Sequence, residues 1–264
     1  MTEAIVQQLR AAGCVFAEDE ARLLIDAAAT PDELAGLVEQ RVAGRPIEHV
    51  LGWAEFCGLR IAVDPGVFVP RRRTEFLVSQ AAALTRPGAV VVDLCCGSGA
   101  LGAALAAAVG PLELHAADLD PAAVRCARRN VNGANGVVYQ GDLFSPLPTT
   151  LRGRVRTLLA NVPYVPSDDV ELMPAEARLH EARMALDGGP DGLDILRRVA
   201  AAAPRWLAPG GRLLIETSER QAPAAVDAFT DSGLTPRVTY DDERGATVLI
   251  GYFAGVGAGK ASDA

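Results

Sequence analysis

Val90-Val91-Val92-Asp93-Leu94-Cys95-Cys96-Gly97-Ser98-Gly99-Ala100 is an apolar run that passes through a glycine turn into an Ala/Leu-rich stretch. A run without polar alternation predicts a strand buried on both faces. Glycines at 97 and 99 predict a tight turn where a ligand can approach the main chain, and Ala100–Val109 predicts a helix. Outward from this unit the same signals repeat. Strands are expected over Ala89–Leu94, Glu113–Asp118, Val137–Gln140, Thr157–Asn161, Arg212–Glu216, Thr235–Tyr240 and Thr247–Tyr252. Helices are expected near Ala100–Val109, Pro121–Asn132, Leu193–Ala203 and Pro223–Ser232. Such alternation implies an α/β fold with a doubly wound, seven-stranded, mostly parallel sheet. The link Asp241 to Ala246 is too short for a parallel crossover, so one of the last two strands should run antiparallel.

The N-terminal part reads differently. Residues 1–46 predict a small helical module: a start at Thr2-Glu3, then Ala21, Leu24, Ile25 and Ala28 on one helix face. Thr30-Pro31-Asp32-Glu33 is a further helix start, with Thr30 as N-cap, Pro31 at the first position and Glu33 closing a capping box. Residues 47–73 read as a linker built on a β-hairpin, with Ile47–Phe56 and Leu59–Val69 as extended runs broken at Cys57-Gly58. A ligand-binding α/β domain is expected over 74–254, and a disordered Gly/Ala/Ser-rich tail over 255–264.

The 264 residues are half apolar and 22% charged, enough to bury a large core. The net charge of −8 argues against a dedicated nucleic-acid binder, which needs a broad basic face. Lys260 is the only lysine and every other basic residue is Arg, a bias that GC-rich coding explains. The five cysteines lack metal or disulfide spacing and the histidines stand apart, so no metal site is expected. With no apolar leader after Met1 and no long uncharged run, the expected setting is the cytoplasm, away from membranes. Arg71-Arg72-Arg73 and the Arg152–Arg156 patch read as solvated faces, and Trp53 and Trp206 as packing residues.

Gly97-x-Gly99-x-x-Gly102 formally fits a dinucleotide fingerprint. Asp93 beside the loop would repel a pyrophosphate and suits a cationic ligand such as S-adenosyl-L-methionine (SAM) better. Asp118, about 25 positions further on at the next strand end, stands where a carboxylate can accept from a ribose diol. Asp142 follows the third strand and can accept from an adenine amino group, with Leu143 against the ring; a plain turn Asp fits the same pattern.

At the end of the fourth strand stands Asn161-Val162-Pro163-Tyr164. An amino or amide nitrogen to be methylated offers two N–H groups. The Asn161 side-chain oxygen and the Val162 carbonyl can accept both, with Pro163 stiffening the turn and Tyr164 as an aromatic wall. Orientation of the nitrogen is then the main catalytic device. As a turn residue alone, Asn161 would need none of this.

This motif, together with Ala43-Gly44-Arg45-Pro46-Ile47, Leu51-Gly52, Glu55-Phe56, Gly58-Leu59, Val63-Asp64-Pro65-Gly66-Val67, Val69-Pro70-Arg71, Thr74-Glu75, His180-Glu181 and Ala185–Leu193, resembles the protein N5-glutamine methyltransferases that modify peptide-chain release factors (the HemK/PrmC family). The resemblance runs from about Ala43 through most of the chain. It implies a class I, Rossmann-like SAM-dependent methyltransferase that methylates a release-factor glutamine at its side-chain nitrogen. It further implies that Asp93, Cys95, Cys96, Gly97, Ser98, Gly99 and Asp118 hold the methionine and ribose parts of SAM. Asp142 and Leu143 would meet the adenine, and Asn161, Val162, Pro163 and Tyr164 the glutamine, with Asn161 also contacting the cofactor. The residues depart from the family's Asn-Pro-Pro-Tyr at Val162, in Arg72-Arg73, and in a shorter helical module. These departures leave open another protein substrate such as a ribosomal protein, an N6-adenine or N2-guanine nucleic-acid methyltransferase, and a catalytically impaired SAM-binding protein.

Overall fold

The structure, a computed structural model, describes residues 2–255. The tail expected over 255–264 lies outside them apart from Gly255.

Three helices open the chain: α1 (Thr2–Ala11), α2 (Ala17–Ala27) and α3 (Pro31–Val42). Ile5, Leu9, Ala21, Leu24, Leu34 and Val38 bury their apolar stripes in a common cluster. The predicted cap forms with one change: Thr30 Oγ1 accepts from Glu33 N at 3.2 Å, but the Glu33 carboxylate reaches one residue further back, to Ala29 N at 2.8 Å. Under this cluster lies an ion pair. Arg41 donates to both oxygens of Glu20, at 2.7 and 3.1 Å, and also pairs with Glu176 at 2.7 Å.

The next segment corrects the sequence reading. Ile47–Leu51 is a helix, α4, where an extended run was expected. Its β-branched residues favour a strand in isolation, but Ile47, Val50 and Leu51 pack onto the helical cluster, and this burial outweighs local propensity. Gly52 ends the helix in the left-handed region. Only then come β1 (Trp53–Phe56) and β2 (Leu59–Ala62), an antiparallel hairpin turning at Cys57-Gly58, both at positive φ.

A helix, α5 (Glu75–Leu84), leads into the alternating region: β3 (Val90–Leu94), α6 (Ala100–Val109), β4 (Glu113–Asp118), α7 (Pro121–Val131), β5 (Val137–Gln140) and β6 (Val155–Ala160). Then follow α8 (Ala175–His180), α9 (Asp194–Ala202), β7 (Leu207–Thr217), α10 (Ala222–Asp231), β8 (Thr235–Asp241) and β9 (Ala246–Tyr252). Helix α8 was not foreseen in the sequence. The sheet order is β5-β4-β3-β6-β7-β9-β8, with β9 antiparallel to both neighbours and the other strand pairs parallel. This is the seven-stranded sheet expected from the alternation, including the reversed strand near the end.

Successive side chains of β3 serve opposite faces. Val91 joins the core beneath α5, α6 and α7, whereas Val90, Val92 and Leu94 join that beneath α9 and α10. Two-sided burial is why this strand shows no polar alternation. Order 3-6 at the sheet centre, with β4 on the other side of β3, is a topological switch point, and ligands of open α/β sheets bind there, beyond the strands' C-terminal ends.

The Arg41–Glu20 pair generates a stability prediction. Arg41→Leu strands a carboxylate whose side chain is only 11% exposed. We expect a loss of about 3–5 kcal/mol in denaturant unfolding. The double replacement Glu20→Leu with Arg41→Leu should recover most of it, because no buried charge is then left alone.

Candidate active site

The C-terminal ends of β3, β4 and β6 border a cavity of about 330 Å³. Its floor is the turn after β3: Cys95, Cys96, Gly97 and Ser98 all line it. The turn is held by Asp118, whose Oδ2 accepts from Gly97 N at 2.8 Å while Oδ1 accepts from Asp120 N at 2.9 Å. Burial raises the Asp118 pKa against the opposing pull of these N–H donors. Cys95 and Leu143, two cavity residues, have φ of 52° and 49° without being glycine. Backbone strain of this kind persists where the surroundings fix the chain, as around ligand clamps.

Two of the sequence candidates lie off the cavity wall. Gly99 sits at φ +76°, a conformation that strains any side chain, and a Cβ there would crowd Val131 Cγ1 at 3.0 Å and the Ala127 Cβ at 3.1 Å. Its contribution is the close approach of the turn to α7. Asp93 is 1% exposed and turned beneath the loop, where its Oδ2 accepts from Gly102 N at 2.9 Å and its Oδ1 meets no donor among the described residues. It anchors the first turn of α6 and does not present a charge to the cavity surface. Burial, aided by the nearby Asp118, pushes its pKa up to about 7.

Asp142 and Leu143 line the far end, and the Asp142 carboxylate carries an ion pair with Arg198 at 2.5 Å. Both partners are half exposed, so the pair is weak and open to exchange.

Asn161, Val162, Pro163 and Tyr164 form the opposite wall. Among the described residues the buried Asn161 Oδ1 meets no donor, and none donates to the Val162 carbonyl. A buried acceptor without a partner costs about 1–3 kcal/mol, which a ligand N–H group would relieve. Tyr164 donates from its hydroxyl to Glu216 Oε1 at 3.1 Å and receives a hydrogen bond from Arg73, whose Nε also donates to that carboxylate at 3.2 Å. Glu216 is 2% exposed. Burial first, then the neighbouring Glu216 charge, raises the Tyr164 pKa above its ordinary value, so the hydroxyl keeps its proton.

These contacts correct the solvated-face reading of Arg71-Arg72-Arg73 for its first and third residues, while Arg72 stays exposed. Arg73 joins the Glu216–Tyr164 network, and Arg71 donates to both oxygens of Glu181, at 2.6 and 2.7 Å. The Glu181 side chain is 1% exposed and also accepts from Val69 N at 3.1 Å. Ala182 N donates to Gly66 O at 3.3 Å. Segments 66–71 and 181–187, remote in sequence, thus meet across the mouth of the cavity. Glu216 had the signal that singled out Asp118, a lone carboxylate closing an apolar strand. Arg73 and Glu181 had no such signal, because the groups they pair with, Glu216 and Arg71, lie more than 100 residues away.

The model of the methyltransferase small domain matches residues 58–191, half of the chain. A release factor glutamine methyltransferase of Geobacter sulfurreducens is 37% identical over 84% of this chain and 78% of its own. One of Mycolicibacterium smegmatis is 39% identical over 84% of this chain and 80% of its own. The chain belongs to the release factor glutamine methyltransferase family. A 4-amino-L-phenylalanine/4-methylamino-L-phenylalanine methyltransferase of Streptomyces pristinaespiralis is also similar, at 36% identity over 74% of this chain and 69% of its own. A methyltransferase structure from Pyrococcus furiosus shares the fold, with a TM-score of 0.57 and 17% identity over 75% of this chain and 90% of its own. In this member of the glutamine methyltransferase family, Val162 and Arg73 both line the cavity.

Asp93 generates a pH prediction. Its pKa rises from the ordinary 3.8 to about 7 on folding, so the folded state binds the proton more tightly than the unfolded chain. Its contribution to stability is fully present below about pH 4 and is lost as pH rises through about 7. Asp93→Asn keeps an acceptor for Gly102 N and removes the titration. Between about pH 4 and pH 8 its stability should gain on wild type by a few kcal/mol, measurable from unfolding free energies at both ends.

Proposed function

We propose that this protein transfers a methyl group from SAM to the side-chain amide nitrogen of a glutamine in a peptide-chain release factor. The observation that carries the reading is the unpartnered Asn161 oxygen beside Val162-Pro163-Tyr164, on the wall of a cavity whose other end is a glycine turn braced by a carboxylate. The family relationship supports a protein glutamine as the acceptor, and the net charge of −8 disfavours a nucleic acid.

SAM supplies a methyl group activated by a sulfonium charge. The residues present suit it. Asp118 uses one lone pair of each oxygen on the backbone, leaving others for the two hydroxyls of a ribose. The Cys95–Ser98 turn offers main chain and small side chains to the methionine part, and Leu143 an apolar surface to the adenine. Asp142 can accept from the adenine amino group once Arg198 yields. Asp93 and Gly99 serve the same end indirectly, by fixing the start of α6 and the turn before it.

The glutamine amide is planar and its nitrogen is a poor nucleophile while conjugated to its carbonyl. Two acceptors on its N–H groups, Asn161 Oδ1 and the Val162 carbonyl, fix its plane and draw electron density toward nitrogen. They also stabilise the positive charge that grows there as the carbon–nitrogen bond forms. Tyr164, neutral and tied to Arg73 and Glu216, bounds the acceptor without competing as a charge. After transfer the amide nitrogen has one proton too many and releases it toward solvent.

Among the described residues no helix is long and apolar enough to cross a membrane. With a translation factor as substrate, the proposed location is the cytoplasm. We further propose that 1–46 is a substrate-recognition module and 47–73 a linker to the methyltransferase domain at 74–254. The linker then starts within α4 rather than on a strand.

The test is mass spectrometry of release factors incubated with SAM and the purified protein. One methyl on a single glutamine is expected. Methylation of RNA, DNA or an aromatic amine with the release factor untouched would overturn the reading. Asn161→Ala should cut kcat by a factor of about 10² to 10³ and leave SAM affinity, read by calorimetry, within about twofold.

A further inference from the structure

A second cavity, of about 320 Å³, lies beside the first at the same edge of the sheet. Its walls are the end of β7 at Glu216 and Thr217, the residues just after them, and the turn between β8 and β9. Arg73 and Tyr164 border both cavities, so the two are neighbours across that pair. A single water needs on the order of 10–15 Å³, so the second cavity has room for a long side chain. The methyl-transfer step makes no use of it.

Two buried polar atoms on this wall are left without partners. Glu216 is 2% exposed; Tyr164 and Arg73 donate to its Oε1, and its Oε2 meets no donor among the described residues. Thr217 is 4% exposed, and its Oγ1 has no partner among the described residues either. Both residues border the cavity. A buried carboxylate oxygen without a donor is costlier than a neutral acceptor in the same position. A donor group in the cavity relieves that cost, and a charged donor relieves most.

The charge around the cavity favours a cation. Glu219, Asp241 and Asp242 border it with Glu216, and Arg73 is the one cation there among the described residues. Arg73 already serves Glu216 and Tyr164, and Asp241 is matched from outside by Arg244 at 2.6 Å. Glu219 and Asp242 stay exposed at the rim. A recess walled by one sign of charge concentrates its field on an entering ion. Among the described residues no group of three or more His, Cys, Asp or Glu side chains is placed to hold a metal ion. The ligand that fits is an organic cation with N–H donors. Tyr240, 54% exposed on the same wall, adds an aromatic surface for such a group or its aliphatic stem.

We propose that this cavity receives an arginine or lysine side chain of the protein substrate, from a residue flanking the methylated glutamine, and thereby contributes to substrate selection. The proposal rests on the protein-glutamine reading of the first cavity. An extended chain advances only about 3.3 Å per residue. Because the cavities share Tyr164 and Arg73, a chain that inserts its glutamine into the first has its neighbouring residues within reach of the second. The cation then donates to Glu216 Oε2 and Thr217 Oγ1.

The experiment compares a release factor with versions in which each arginine or lysine flanking the glutamine is replaced by methionine, one at a time. Each is assayed with wild type, Glu216→Gln, Thr217→Val, and the rim pair Glu219→Gln with Asp242→Asn. At one substrate position wild type should lose about 10- to 100-fold in kcat/KM. With Glu216→Gln the same substrate change should cost less than about threefold, whereas a purely structural role for Glu216 would slow both substrates by one factor. Thr217→Val keeps the side chain's shape and should reduce the discrimination by about three- to tenfold, which keeps the test decisive if Glu216→Gln does not fold. The rim pair should cost about two- to fivefold and flatten the dependence on salt. A separate titration with methylguanidinium alone should move the amide resonances of 216–219 and 240–247 in wild type and not in Glu216→Gln.

Equal costs of every substrate change in wild type and in the Glu216 and Thr217 variants would overturn the proposal. So would the absence of any basic position whose replacement matters. If wild type methylates no release-factor glutamine, the functional reading fails. The methylguanidinium titration then decides whether the cavity takes a basic group, and resonances that stay unmoved, or move only elsewhere, overturn that as well.

Discussion

The arrangement of the site rests on one row of backbone pairing across the middle of the sheet. Leu94 at the end of β3 pairs with Ala117 on one side and Ala160 on the other, and Ala160 pairs in turn with Ile215. Hydrogen bonds between parallel strands fix this register, and each strand then leaves the sheet at nearly the same height. The next residues are Cys95 and Cys96, Asp118, Asn161 and Glu216. A slip of one residue in any pair would turn the corresponding side chain to the other face. The two hydrophobic cores that sandwich β3 resist such a slip, because every residue from Val90 to Leu94 is buried.

From that row upward, the cavity is closed by polar contacts between segments far apart in sequence. Glu181 and Glu216 are both nearly inaccessible, and each is satisfied in part by an arginine from the stretch 71–73. Such pairs repay their desolvation only when geometry is good and the alternative is a bare charge. Removing either arginine would leave its carboxylate buried and short of a partner. One arginine stretch holds the roof segment through Glu181 and the aromatic wall through Glu216 and Tyr164, which couples the shape of the mouth to the shape of the acceptor end.

The sheet and the Asn161–Tyr164 turn were legible in the sequence because their signals are local. Apolar runs, glycines and strand-end carboxylates act within a few residues of one another, and the Thr30 cap is read from four positions. What escaped depends on partners elsewhere. Ile47–Leu51 looks extended until the helical cluster it packs on is known. Arg71 and Arg73 look like solvated charge until Glu181 and Glu216 are brought to them. Asp93 was placed by the sequence beside the ligand. The structure puts it under the loop, where the same carboxylate serves Gly102 N.

The parallel sheet also has a consequence for how the molecule comes into being. The groups around the cavity are contributed by positions from Gly66 to Glu216. The central strands β3 and β6 become neighbours only after a long intervening stretch is in place. Closing such loops precedes any contact that rewards it, which slows acquisition of structure relative to the locally wired helices at the N-terminus. On the ribosome, the N-terminal helices can condense while the rest of the chain is still being made. The binding cavity cannot take shape until β6 has reached β3, because the residues that follow both strands form its walls.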